Sequence, residues 1–273
     1  MHNARVAVLG GGNMARAIVL GAVSAGALDN RNIVVADPEE VKRRAFTDAG
    51  IEAVANFRDA GGFLTDETHI LLAVKPQILP AAAPDVAAAA GGASRVVISV
   101  LAGTTGAGVR AELGNWARVV RVMPNTPASI GKGVSAVTRS AGATEGDDAL
   151  ARTIMSAVGD VVDVTEDLFD AFTAVAGSGP AYVFYLAEAM TRAAVAVGLD
   201  PALADRVVRG VIGGSAALLE DERGTDAAGL RAAVTSKGGT TAAATGSLDD
   251  DGVMDAFVRA ITAARDRGRE LGR

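Results

Sequence analysis

Along the first part of the chain, short apolar and β-branched runs alternate with longer stretches of helical period. Arg5–Leu9, Asn32–Ala36, His69–Val74, Arg95–Val100 and Arg118–Val122 are candidate strands, with Glu52–Ala55 a weaker one, and most of them read as the continuous apolar runs of strands covered on both faces. Between them, Asn13–Ala25, Glu39–Ala49, Pro76–Ala90 and Thr105–Leu113 supply covering helices. Gly131–Thr138 and Asp160–Val164 read as two further strands around a helix over Thr144–Val158. The pattern predicts an α/β fold over residues 1–164, a doubly wound sheet of mostly parallel strands. Beyond about Val164 the strand signal stops. Asp167–Gly198, Pro201–Arg223, Thr225–Val234, Gly239–Gly246 and Asp251–Leu271 read as helices, with Asp200 placed to cap the one that Pro201 opens. Residues 165–273 are therefore expected to form a second, all-helical domain, joined to the first without a long linker.

Composition narrows this picture. The chain has 273 residues, enough for two domains, and is 49% hydrophobic but only 4% aromatic, which favours closely packed helices of small residues. Gly213-Gly214-Ser215-Ala216-Ala217 suits close helix approach, and so apolar a helical domain is expected to bury surface against another copy, simple core packing being the alternative. A net charge of −6 and scattered Lys and Arg speak against nucleic-acid binding. The chain has no cysteine, which excludes disulfide and thiolate chemistry, and its two histidines, His2 and His69, are too few for a histidine metal cluster. Arg5–Leu9 runs straight into a glycine loop, so no signal peptide is expected. The uncharged run between Asp170 and Glu188 is short for a membrane span and is broken by Gly177-Ser178-Gly179-Pro180, so it reads as a buried helix pair. A cytoplasmic protein without membrane contact is expected.

Two glycine loops carry the candidate chemistry. The first, Leu9-Gly10-Gly11-Gly12-Asn13-Met14-Ala15, fits G-x-G-x-x-A between a strand and a helix. In that context Gly10 permits the tight turn, Gly12 lets a pyrophosphate approach, and Ala15 allows close helix–strand packing. Asp37, after the second strand, is placed either to accept the ribose hydroxyls of NAD or to cap the helix that Pro38 opens. Asn56 follows the third strand and reads as a turn residue or as a contact to the adenosine end. Ala73-Val74-Lys75-Pro76 closes the fourth strand at the edge where such sheets bind ligands. Asn125, in Met123-Pro124-Asn125-Thr126-Pro127, follows the sixth strand at the same edge. Gly177-Ser178-Gly179-Pro180 marks a kink or a turn whose backbone faces the cofactor.

The second loop, Val234-Thr235-Ser236-Lys237-Gly238-Gly239-Thr240-Thr241, precedes an alanine-rich helix. Adjacent glycines, hydroxyls and a helix N-terminus suit a small carboxylate. One loop for a dinucleotide and one for a small anion is a two-substrate layout.

Taken in order, these segments resemble the pyrroline-5-carboxylate reductase family over nearly the whole chain, and the last three motifs are the most specific. The resemblance implies a Rossmann domain followed by a helical dimerisation domain. It implies homodimers, often assembled into decamers, with each site combining one subunit's cofactor domain and its partner's helical domain. The implied reaction is reduction of the cyclic imine 1-pyrroline-5-carboxylate to L-proline by NADPH or NADH, the family commonly preferring NADPH, whereas Asp37 leans towards NAD. It also places an asparagine like Asn56 near the cofactor. Two departures stand out, Ala176 where the family usually has serine and Lys237 where it usually has proline.

No His-Asp or lysine dyad is evident, and imine reduction hardly requires one, because a protonated imine is already electrophilic and the nicotinamide supplies the hydride. The groups expected to hold the substrate carboxylate are the free backbone N–H groups of Gly239 and Thr240 together with Ser236, with the Thr241 hydroxyl at the ring nitrogen as the catalytic group. A hydroxyacid dehydrogenase is a competing reading, although apart from Lys237 the helical domain offers no catalytic Lys or His. A nucleotide-sensing relative without turnover is another.

Overall fold

The computed structural model describes residues 4–272; His2 lies outside them. One eight-stranded sheet runs in the order β3-β2-β1-β4-β5-β6-β7-β8. Its strands are β1 (Val6–Leu9), β2 (Ile33–Ala36), β3 (Glu52–Val54), β4 (His69–Leu72), β5 (Arg95–Ser99), β6 (Ala117–Met123), β7 (Gly133–Arg139) and β8 (Gly159–Asp163). The first six pair in parallel, with Val8 opposite both Val35 and Leu71. Strand order reverses between β1 and β4, and the crevice outside their carboxyl ends is where doubly wound sheets bind ligands.

The sheet breaks its parallel habit once. β7 lies antiparallel to β6, and β8 returns parallel to β7. Only the loop 124–132 separates β6 from β7, too short for a parallel crossover, so the chain must turn back. The longer segment to β8 contains a helix and permits one.

The covering helices are α1 (Asn13–Ser24), α2 (Glu40–Thr47), α3 (Leu79–Ala90), α4 (Gly106–Leu113) and α5 (Ala149–Ser156). β1, β2 and β5 are buried along their whole length, and the two faces of the sheet carry separate apolar cores. Ile18 and Phe46 fill one; Leu79 and Val86 fill the other. Pro76 opens a 3-10 turn over Pro76–Ile78 before α3, and the expected helix over 144–158 is shorter because residues up to Asp148 form turns.

After β8 the chain is helical: α6 (Phe169–Phe172), a π-helical turn (Thr173–Gly177), α7 (Gly179–Ala196), α8 (Pro201–Asp221), α9 (Ala227–Ala233), α10 (Thr240–Asp250) and α11 (Val253–Leu271). Asp200 caps α8, accepting hydrogen bonds from the main-chain N–H groups of Ala202 and Leu203. Compactness divides the chain elsewhere than the change from strand to helix does. One unit holds the residues up to Pro180 together with those from Ala264 onward, and the other is Ala181–Ala263.

Within Ala181–Ala263 only Ala204 and Val208 are buried hydrophobics, while Phe184 and Tyr185 are 66% and 74% exposed. A Cβ at Gly213 or Gly214 would meet nothing within 4 Å, so this stretch of α8 is not a close helix contact within the chain. No helix among the described residues is long and apolar enough to cross a membrane.

β7 and β8 meet through a glycine pair. Gly159 has φ +151, and a Cβ there would lie 2.0 Å from the Gly133 carbonyl oxygen. Backbone cannot yield as a side chain can, so Gly159→Ala is expected to destabilise the protein by about 2–4 kcal/mol. A urea midpoint within error of wild type would contradict that.

Candidate active site

The dinucleotide cradle is built by main-chain contact. Gly10 leaves β1 with φ +99, and a Cβ would come within 2.7 Å of the Ala73 carbonyl oxygen and 2.8 Å of Val74 Cγ1. The Gly10 N–H donates to the Ala36 carbonyl (2.8 Å) and the Ala73 N–H donates to that of Leu9 (2.8 Å). Leu9, Gly10, Ala73 and Val74 are thus brought together at the point where strand order reverses. Gly12 is the N-cap of α1 without a side-chain cap, and its Cβ would meet nothing within 4 Å. The N–H groups of Asn13 and Met14 open the helix there, in a first turn that lacks intrahelical acceptors. Open space over a helix N-terminus fits a pyrophosphate.

Asp37 is 6% exposed. Its Oδ2 accepts from the Gly11 N–H (2.8 Å), and its Oδ1 accepts from the Glu39 N–H (2.9 Å). Glu39, not Asp37, occupies the N-cap of α2, so the helix-capping alternative gives way to a brace across the glycine loop. Arg43 donates from Nη1 to the carbonyls of both Asp37 and Pro38 (2.8 Å each), which sets a guanidinium at the end of β2. Lys42 lies 4.0 Å from Asp37 Oδ2. Its hydrogen bond to Glu39 holds it above the usual ammonium range against desolvation, with Asp37 adding to the effect.

A cleft of about 250 Å³ is lined by Leu9, Gly10, Asp37, Asn56 and Val74, together with Ile78. Asn56 also caps the 3-10 segment Phe57–Phe63: its Oδ1 accepts from the Asp59 N–H (3.0 Å) and its Nδ2 donates to Asp59 Oδ2 (2.6 Å). The turn role and a place on the cleft therefore coexist. Ile78, Phe57 and Ala82 join the lining without having been singled out in the sequence. Lys75 is exposed at the N-cap of the turn that Pro76 opens.

Asn125 stands apart from this cleft. It is buried, and its carboxamide is engaged at both ends: Oδ1 accepts from the Val134 N–H (3.0 Å) and Nδ2 donates to the Ala176 carbonyl (3.1 Å).

The second loop lies in the other unit and is described by itself. Gly238 has φ +73, and Gly239 is the N-cap of α10 with no side-chain cap. The Gly239 N–H donates to the Ser236 carbonyl (3.0 Å), so it closes the turn and is not the free donor expected; the open N–H groups begin at Thr240 and Thr241. A Cβ on Gly239 would lie 2.4 Å from Ser236 Oγ, so only glycine leaves that hydroxyl its place. Ser236 and Thr240 are exposed and Thr241 is half-buried; the Thr241 carbonyl accepts from the Thr245 hydroxyl (2.9 Å). Lys237 is exposed. No group of three or more potential metal ligands occurs among the described residues.

A Rossmann sheet with an uncapped βα glycine turn, followed by a helical segment, is the layout of a dinucleotide-binding protein. Residues 5–103 match the family described as NADP oxidoreductase coenzyme F420-dependent, and residues 166–271 match pyrroline-5-carboxylate reductase dimerisation. The pyrroline-5-carboxylate reductase of Corynebacterium melassecola is 34% identical, covering 98% of this chain and 98% of its own. That of Synechocystis sp. is 36% identical with the same coverage. The solved pyrroline-5-carboxylate reductase of Coxiella burnetii superposes with a TM-score of 0.87 at 32% identity over 99% of each chain. The Plasmodium falciparum pyrroline carboxylate reductase with NADP bound gives 0.87 over 100% of each chain, at 24% identity a likeness of fold. The chain belongs to the pyrroline-5-carboxylate reductase family, NAD(P)H-dependent oxidoreductases that reduce 1-pyrroline-5-carboxylate to proline.

Because a Cβ at Gly10 strikes backbone, Gly10→Ala is expected to weaken dinucleotide binding at least about tenfold, the equivalent of about 1.4 kcal/mol. Fluorescence titration with NADPH and with NADH checks this, and an unchanged Kd for both would contradict it.

Proposed function

We propose that this chain reduces 1-pyrroline-5-carboxylate to L-proline with the cofactor on residues 1–164 and the substrate on residues 165–273. The observation that carries the residue assignment is the pair of uncapped helix N-termini preceded by glycine turns, at Gly12 and at Gly239. The bound dinucleotide supplies the hydride. Gly10, Gly11, Gly12, Asn13 and Met14 receive its pyrophosphate, while Leu9, Asp37 and Asn56 line the adenosine side. Ala73, Val74, Lys75 and Pro76 border it at the exit of β4, and Asn125 belongs to the same edge through the loop it braces.

Ser236 and the N–H of Thr240 hold the substrate carboxylate. Gly239 keeps the Ser236 hydroxyl in position by lacking a side chain. The Thr241 hydroxyl orients the imine by hydrogen bonding at the ring nitrogen. Its work is placement, which alone can be worth several kcal/mol of barrier.

The working form is a homodimer, with a decamer of five such dimers as the larger assembly. The support is the apolar surface left exposed on α7 and α8 and the match to a dimerisation family. The enzyme acts in the cytoplasm. Both coenzymes are accepted, and the Arg43 guanidinium at the end of β2 favours the one carrying a 2′-phosphate.

Three measurements check these assignments. Thr241→Ala should lower kcat about tenfold or more while leaving dinucleotide Kd within about twofold, as loss of a positioning contact does; unchanged turnover removes Thr241 from the mechanism. Arg43→Ala should raise KM for NADPH more than for NADH, and equal effects would remove Arg43 from coenzyme choice. Consumption of NADPH and NADH, each followed with pyrroline-5-carboxylate, tests the reaction itself, and binding without oxidation would favour a sensing role.

A further inference from the structure

The buried carboxamide of Asn125 joins two segments far apart in sequence. It follows β6 at the carboxyl edge of the sheet, and its acceptor is the carbonyl of Ala176 in the π-helical turn Thr173–Gly177. That turn is a register change. The Ser178 N–H donates to the Thr173 carbonyl (2.8 Å), five residues back, before α7 starts at Gly179. In the α register, the donor to the Ala176 carbonyl would be residue 180. Residue 180 is proline and has no N–H. A half-buried carbonyl without a donor is costly, and the Asn125 Nδ2 supplies one from outside the helix.

The other end of Asn125 is fixed equally firmly. Its Oδ1 accepts from the Val134 N–H at the start of β7, so the side chain cannot swing to a ligand without breaking a part-buried hydrogen bond. Met123, at the end of β6, closes the same junction: a Cβ on Gly177 would lie 2.6 Å from its terminal methyl. π-Turns of this kind recur at functional sites.

We propose that Asn125 is a positioning residue of the reductase reaction, acting by supplying the donor that Pro180 withholds and thereby fixing the Gly177-Ser178-Gly179 turn at the carboxyl edge of the sheet. It does not act by touching the dinucleotide with its carboxamide. This rests on the reductase reading above. The identity of residue 176 matters little on this account, because only its carbonyl is used, and alanine serves where a serine would.

Asn125→Asp is the informative variant, because it keeps the acceptor for Val134 and replaces the donor to Ala176 with a carboxylate oxygen, which cannot donate and repels that carbonyl. It is expected to lower kcat about 10- to 100-fold, the range of a small misplacement, with dinucleotide Kd within about twofold of wild type. Asn125→Ala serves in its place if the aspartate variant does not fold. In a Pro180→Ala background, where residue 180 regains an N–H, the same substitution at Asn125 should cost several-fold less. Dinucleotide affinity falling in step with kcat would mean direct contact and overturn the proposal. So would an unchanged kcat, or an equal loss in both backgrounds. Wild-type enzyme that binds NADPH but does not oxidise it with pyrroline-5-carboxylate would instead overturn the reductase reading, before any variant is made.

Discussion

The cofactor half of this molecule depends on how closely the exit of β1 approaches the exit of β4. At Gly10 the two backbones lie so near that a single methyl would fall 2.7 Å from the Ala73 carbonyl oxygen. That contact sets where α1 starts. Asp37 then holds the loop from the neighbouring strand by accepting the Gly11 N–H. A glycine and a buried carboxylate together give the loop one conformation without calling on Gly12, whose surroundings stay open. The result is a preorganised site, in which little ordering remains when an anion binds.

The helical segment obeys a different constraint. Its helices are regular, but they do not bury their own apolar residues, and Ala204 and Val208 alone are enclosed between Ala181 and Ala263. Surface of that kind is incomplete by itself and marks an interaction face. The match to a dimerisation family gives that exposure its meaning. Stability of this part is then inseparable from subunit concentration.

Much of this was legible in the chain, for physical reasons that can be named. Buried parallel strands read as near-continuous apolar runs, so β1, β2, β4 and β5 announced themselves. The glycine loop was readable because its context, strand then helix, is what gives the motif force. Less legible was anything decided by side-chain hydrogen bonds across long sequence separations. Asp37 was open between a ribose contact and a helix cap, and the fold makes it a brace for Gly11. Asn125 read as a loop residue because its acceptor lies 51 residues away. The antiparallel turn into β7 was implicit in a short loop, and the π-turn left no sign beyond Gly-Ser-Gly-Pro. The Gly239 N–H was expected to be free, but closing the turn onto Ser236 uses it.

α11 has a consequence of another sort. The chain enters the helical unit after Pro180 and returns to the first unit at Ala264, within this one helix. At its end, a Cβ on Gly103, just beyond β5, would meet Leu271 Cβ at 3.1 Å. Topologically, the helical unit is an insert in the Rossmann body rather than a tail hung on it. Both ends of the insert are therefore anchored in one body, and the carboxyl terminus belongs to the cofactor half. Trimming the last turn of α11 thus removes the packing of Leu271 against the segment that follows β5, within the first unit.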